Sequence, residues 1–136
     1  MAPIEPVKYV CFLPLVHEIA KMDAGIFFIK PAWSKRASSP TRLGEFLASG
    51  KPVLTNSKIG DVEEDVMQTR TGVVISDWQQ DALTLAIQRL VSIAREPGIA
   101  ERCRSAAEER FSLQRGIAAY AAIYSSLVSD SERRVD

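Results

Sequence analysis

Short apolar runs alternate along the chain with longer stretches whose hydrophobic residues recur every three or four positions. That alternation predicts an α/β fold, a parallel sheet with helices on both faces. Val7 to Leu13 reads as a strand, followed by a short helix around Glu18 to Met22. Ala24 to Ile29 is almost wholly apolar, as expected of a central strand covered on both sides. After a polar loop from Lys30 to Ser39, Pro52 to Thr55 and Gly72 to Ile75 supply two further strands. Between them, Asp61 to Met67 predicts a short helix with Asp61 at its cap.

Beyond Ser76 the pattern turns helical. Asp81 to Arg95 places Leu83, Ala86, Ile87, Leu90 and Ile93 or Ala94 on one face, with Asp77 or Asp81 as cap and Pro97-Gly98 as the stop. Trp78 is expected to bury at the mouth of this helix. A second helix covers Ile99 to Phe111, highly charged on its outer side. A third runs from Leu113 or Gln114 to Val128, with Ile117, Tyr120, Ala121, Ile123, Tyr124, Leu127 and Val128 as its apolar side. The remainder, Ser129 to Asp136, is expected to fray, leaving 131–136 as a flexible tail.

The segment from Ser38 to Pro52 carries the candidate chemistry. Ser39 is suited to cap a helix whose first position is Pro40, where a missing N–H costs nothing. Leu43, Phe46 and Leu47 form its buried stripe, and Gly50 followed by Pro52 ends it, so the helix spans Pro40 to Ser49. Its start faces the carboxyl end of the preceding strand, the edge where open α/β sheets bind ligands. Free amides and the helix dipole at Thr41 and Arg42 suit an anion, most naturally a phosphate. Lys30, Lys35, Arg36 and Arg42 add positive charge around the same loop. Glu45 lies one and a half turns along, roughly 9 Å from Ser39, where its carboxylate can accept two hydrogen bonds from a ribose diol. The plainer reading is that Arg42 and Glu45 form a surface ion pair and that the loop is simply solvated.

Composition narrows the field. The chain has 136 residues, 46% hydrophobic, with 17 basic and 17 acidic side chains. One domain with a real core is the natural expectation. Neutral balance argues against a dedicated nucleic-acid binder. A single histidine nearly excludes a His-based metal site or catalytic triad. Two distant cysteines, Cys11 and Cys103, do not suggest a disulfide scaffold, and Cys11 reads as a buried thiol. No apolar run reaches the ~20 residues of a membrane span, and Met1 to Pro6 lacks a signal peptide's pattern, so the expected compartment is the cytoplasm.

The string Asp23-Ala24-Gly25-Ile26-Phe27-Phe28-Ile29-Lys30-Pro31, continuing through Ala37-Ser38-Ser39-Pro40-Thr41-Arg42-Leu43-Gly44-Glu45-Phe46-Leu47-Ala48-Ser49-Gly50-Lys51-Pro52-Val53, resembles the donor-binding domain of group 1 (family 4) glycosyltransferases. Weaker similarity runs from about Val7 to Leu127, including Ile59-Gly60-Asp61-Val62, Thr71-Gly72-Val73-Val74 and Phe111-Ser112 with Tyr120 and Tyr124. The resemblance implies a Rossmann-like sheet, the C-terminal half of a two-domain GT-B enzyme, with 1–130 as the donor domain, truncated at its N-terminus. It implies transfer of a sugar, with retention of configuration, from a UDP- or GDP-linked donor to a polysaccharide or cell-envelope acceptor, without a cofactor or a required metal. Glu45 matches the glutamate that holds the ribose. Ser39, Thr41 and Arg42 match the turn that contacts the diphosphate and donor sugar, and Ser38 and Lys30 from the same segment complete the candidate donor-binding set. The loop from Leu13 to His17 matches the segment at the nucleobase. Ala37 departs from the family, which carries a glutamate eight positions before Glu45. An N-terminal acceptor domain is the implied partner, and this portion alone is expected to be inactive. A full-length form would sit in the cytoplasm, peripheral at the inner membrane.

Other residues have plainer roles beside these. His17 reads as a cap or surface residue before a ligand. Asp61, Glu63, Glu64 and Asp65 read as dipole compensation rather than a metal site. Trp33 reads as packing its own loop, with covering a sugar as the alternative. Tyr120 and Tyr124 read as core or interface, and an exposed apolar C-terminal helix invites a homodimer. Rival functions are a nucleotide-sugar epimerase, which should carry additional acids or histidines at the donor, and a non-catalytic nucleotide-binding or interaction module.

Overall fold

The computed structural model describes residues 12–132, with side-chain environments for 15–128. The predicted strand from Val7 lies largely outside the described residues, as do Cys11 and 133–136. Phe12 and Leu13, expected to end that strand, instead open α1 (Phe12–Ala20). Pro14 explains the correction: in a helix's first turn its missing N–H has no intrahelical partner to lose. Leu15 and Ile19 then share one face, and Ile19 is buried.

The fold is α/β. Among the described residues three strands, β1 (Gly25–Ile26), β2 (Val53–Asn56) and β3 (Gly72–Ile75), form one parallel sheet in the order β1-β2-β3. Helices α2 (Thr41–Ala48) and α3 (Val62–Thr69) connect them, and α4 (Gln80–Ala94), α5 (Ile99–Phe111) and α6 (Leu113–Glu132) follow. One sheet face is covered by a core of Phe27, Leu43, Leu47, Val53, Val66 and Cys103, from the sheet, α2, α3 and α5. The other holds Leu54, Val73 and Ile75 against Ala86 and Leu90 of α4.

β2 is the true centre, with all four residues buried. β1 is an edge strand among the described residues, and the expectation that Ala24 to Ile29 is covered on both faces fails. Phe27 is buried, but Ile26 is 54% and Phe28 41% exposed, because α4 reaches only β2 and β3. Regular strand geometry ends at Ile26, yet pairing continues. The Gly25 and Phe27 amides donate to the Pro52 and Leu54 carbonyls. At the next step the backbone of β2 turns toward β3, and the buried Asn56 side chain takes its place. It accepts from the Ile29 amide at 2.8 Å and donates to the Ile29 carbonyl at 2.9 Å. A primary amide reproduces a peptide's donor and acceptor, so the edge is held to its carboxyl end.

In α4 Ala86 and Leu90 are buried as expected, but Ile87 is 47% exposed. Its cap is Gln79, neither Asp77 nor Asp81, although the Asp77 carboxylate accepts from the Gln79 amide just outside. Trp78 is half exposed and lies edge-on to Phe28 rather than buried. Asp61 holds the cap position of α3 without a side-chain capping bond. Asp65 of the same acidic run turns inward to Arg110 of α5 at 2.8 Å, tying the two helices together. Among the described residues no group of His, Cys, Asp and Glu is arranged to hold a metal ion. Cys103 is a free, fully buried thiol, and burial pushes its pKa up to about 11 despite Arg102 and Arg104 nearby. α6 runs to Glu132, beyond the predicted end at Val128. No described helix is long and apolar enough to cross a membrane.

Candidate functional site

Parallel pairing of β1 and β2 forces the chain to turn at the carboxyl edge of the sheet before α2 carries it back. That turn contains one 3-10 turn, Trp33–Lys35. Trp33 does not pack into its own loop: it is 83% exposed, with the Arg36 guanidinium 5.0 Å from its ring centre. The loop after β2 holds the turn in place. The Gly60 amide donates to the Lys35 carbonyl, and a Cβ on Gly60 would overlap the Ser38 carbonyl. With φ at +39°, glycine is required there by both backbone angle and close approach.

α2 starts at Thr41, one residue later than Ser39 as cap would predict. Pro40 holds the cap position with extended backbone (ψ 122°), and no side chain caps the helix. The Pro40 carbonyl accepts from the Leu43 amide, while the Thr41 and Arg42 amides find no acceptor among the described residues. Uncapped amides at a helix start are donors directed at solvent or an anion. The other end matches the expectation. Gly50 at φ +73° stops the helix, the Lys51 amide bonds back to the Phe46 carbonyl, and Pro52 follows.

A groove of about 770 Å³ runs between the first turns of α2 and the last turns of α5. From the α2 side it is lined by Ser39, Thr41, Gly44, Glu45 and Ala48, and from α5 by Arg104, Glu108, Phe111 and Ser112. Glu45 is half-buried, faces this groove, and makes no ion pair with Arg42 among the described residues, against the plainer reading of that pair. Of the candidate residues, Ser39, Thr41 and Glu45 come together in the groove. Ser38 is half-buried against Gly60, whereas Lys30 and Arg42 are exposed beside the same edge. From Lys30 to Lys58 the acidic side chains number one, Glu45, against Lys30, Lys35, Arg36, Arg42, Lys51 and Lys58. His17 stands apart: it is exposed in the middle of α1, and the segment from Leu13 to His17 is helix rather than loop.

Sequence reasoning did not assign Arg104, Glu108, Phe111 or Ser112 to the site. Their presence follows from the antiparallel packing of α5 on α2, in which Gly44 lies against the Phe111 ring and Gly50 against Ala100 and Arg104. The available signal was the row of small residues Gly44, Ala48 and Ala107 on the facing surfaces. Arg104 leaves much of its charge free for a ligand, since its ion pair to Glu101 is long at 3.9 Å and exposed. The groove therefore combines the bare Thr41 amide, one guanidinium, two carboxylates and an aromatic ring, with the bare Arg42 amide beside it. None of the protein-family models, curated proteins or solved structures matches this chain.

Proposed function

We propose that this chain is the nucleotide-sugar-binding portion of a retaining glycosyltransferase of the GT-B type, with a Rossmann-like donor domain. The observation that carries the reading is the uncapped start of α2 with Glu45 one turn along the same groove. The Thr41 and Arg42 amides would take the donor's diphosphate, assisted by Arg42 and Lys30 at the edge and by Ser39 in the groove. Glu45 would grip the ribose diol, a pairing in which an ionised acceptor takes two neutral hydroxyl donors. Lys30, Lys35, Arg36, Arg42 and Lys58 give the edge the positive field that an incoming diphosphate needs. In the transfer itself the same donors stabilise charge building on the leaving diphosphate as the glycosidic bond breaks. A separate acceptor-binding domain is the proposed partner, and the proposed setting is the cytoplasmic side of envelope or polysaccharide assembly.

Exposure of Ser39, Thr41 and Arg42 supports a binding edge over an edge blocked by side chains, as a pure interaction module would have. One observation favours the epimerase reading: Glu108 places a second carboxylate in the groove. Titrating the chain with UDP, GDP and their sugars, followed by NMR, tests the proposal. Shifts are expected at Thr41 and Glu45. Glu45→Ala should weaken binding by about 1–3 kcal/mol, the cost of losing charged hydrogen bonds, with an unchanged fold. Equal affinity in the variant would remove the ribose assignment, and shifts centred on Glu108 would favour the epimerase.

A further inference from the structure

We propose that Arg104 reads the base of the bound nucleotide, favouring uracil or guanine, which present a carbonyl oxygen, over cytosine or adenine, which present an amino group. This inference rests on the nucleotide reading of the groove and extends it to the groove's far end. The segment expected at the base, Leu13 to His17, is helix, with His17 exposed in the middle of α1, so the base meets no loop there. The α2–α5 groove supplies another place. Along α2 its lining runs Thr41, Gly44, Glu45, Ala48. At 1.5 Å per residue, Glu45 lies roughly 6 Å and Ala48 roughly 10 Å beyond Thr41. With the diphosphate at the Thr41 amide and the ribose on Glu45, the next position on the same line is the base. That is the order in which a nucleotide's own bonds string its parts together. α5 runs the other way, with Phe111 beside Gly44 and Arg104 beside Gly50, so Ala107 and Arg104 face that stretch.

The far end suits a flat, neutral ring. Ala48 and Ala107 line it with methyl groups. Gly50 leaves space for the guanidinium, since a Cβ there would stand 3.1 Å from Nη2 of Arg104. The one ion pair of Arg104, to Glu101, is 3.9 Å long, and its side chain is half exposed, so donors remain for a ligand. Among the described residues Arg104 is the one cation lining the groove, against the carboxylates of Glu45 and Glu108. That balance disfavours a second phosphate at this end and suits a neutral acceptor. A guanidinium has donors and no acceptor. Uracil and guanine offer it O4 or O6, whereas cytosine and adenine put an amino group at the same place. Donor then faces donor, and a hydrogen bond to a charged group is lost.

Calorimetric titration of the whole chain with UDP and with CDP tests this, because the two differ only along one edge of the base. The parent should bind UDP roughly 10- to 100-fold more tightly, the worth of a hydrogen bond to a charged group. Arg104→Ala should bring UDP down toward CDP, whose own affinity changes little. Arg104→Glu puts an acceptor in the same place and should reverse the preference. Glu45→Ala should weaken both ligands alike, since the ribose is common to them. The ratio of the two affinities is the readout, because loss of positive charge in itself weakens both equally. A parent that binds UDP and CDP equally overturns the assignment of Arg104, as does an Arg104→Ala chain that keeps the parent's ratio. In either case the nucleotide reading stands. A parent that binds neither ligand overturns both.

Discussion

α5 and α6 are consecutive helices with opposite fates. α5 is crowded with charge (Glu101, Arg102, Arg104, Glu108, Glu109 and Arg110), yet it buries Ile99, Cys103, Ala106 and Ala107 in the main core. α6 is the more apolar of the two, and none of its residues from Leu113 to Val128 is buried. Burial here follows the place of a helix in the fold, not its mean hydropathy. Four residues at helical spacing are enough to seat α5, because Gly44 in α2 and Gly50 just past its end lie where α5 approaches. α6 carries a longer stripe and meets little of the described part of its own chain.

The sharpest way to break that comparison is to truncate one leucine on each side of it. Leu43 is fully buried between α2 and the sheet, within the core that α5 closes. Leu43→Ala should cost about 2–5 kcal/mol in denaturant unfolding, the range for a buried leucine that leaves a cavity. Leu127→Ala, at a position 60% exposed, should stay within about 0.5 kcal/mol of the parent. Comparable losses from both would show that α6 packs on its own chain in solution.

Much of this architecture was legible. β3, the span of α5, and the Gly50-Pro52 stop of α2 all follow from local preference, since apolar runs, helical spacing and a positive-φ glycine act through neighbours in sequence. The failures have two causes, one local and one tertiary. Ser39 was set aside as cap because Pro40 can hold the extended cap conformation itself. Ile26, Phe28, Ile87 and Trp78 were expected to bury on their hydrophobicity, which does not report whether another element lies over them. The groove was half legible. Ser39, Thr41 and Glu45 came from one continuous segment, whereas Arg104 and Glu108 arrive only through the packing of α5, a relation between segments some sixty residues apart.

A smaller effect is expected at the tie between α3 and α5. Arg110 donates to the Asp65 carboxylate at 2.8 Å and to the Gln68 side chain at 2.6 Å. Arg110→Ala should cost about 1–3 kcal/mol at neutral pH, because it strands a carboxylate that is only 12% exposed. Arg104→Ala, on an exposed and long ion pair, is the control and should cost less than about 1 kcal/mol. Equal losses would mean that α5 is seated by its small apolar residues alone.

The smallest effect is a slope rather than a loss. Burial, reinforced by Asp61 and Glu64, holds the pKa of Asp65 above its ordinary 3.8, and Arg110 only partly offsets this. A raised pKa means that the folded chain holds this proton more tightly than the unfolded chain does. The contribution to stability is therefore complete below the ordinary value and is lost as pH rises through the folded one. Asp65→Asn cannot titrate, so it removes this part of the pH dependence. The stability of the parent minus that of Asp65→Asn should fall as pH rises from below 3.8, then level once the carboxylate is ionised. Unfolding of both chains in denaturant across the acid range measures it. A difference that grows with pH would mean that the Arg110 ion pair outweighs burial. α5 would then be held by its charge at this point and not, as at Cys103, by what it buries.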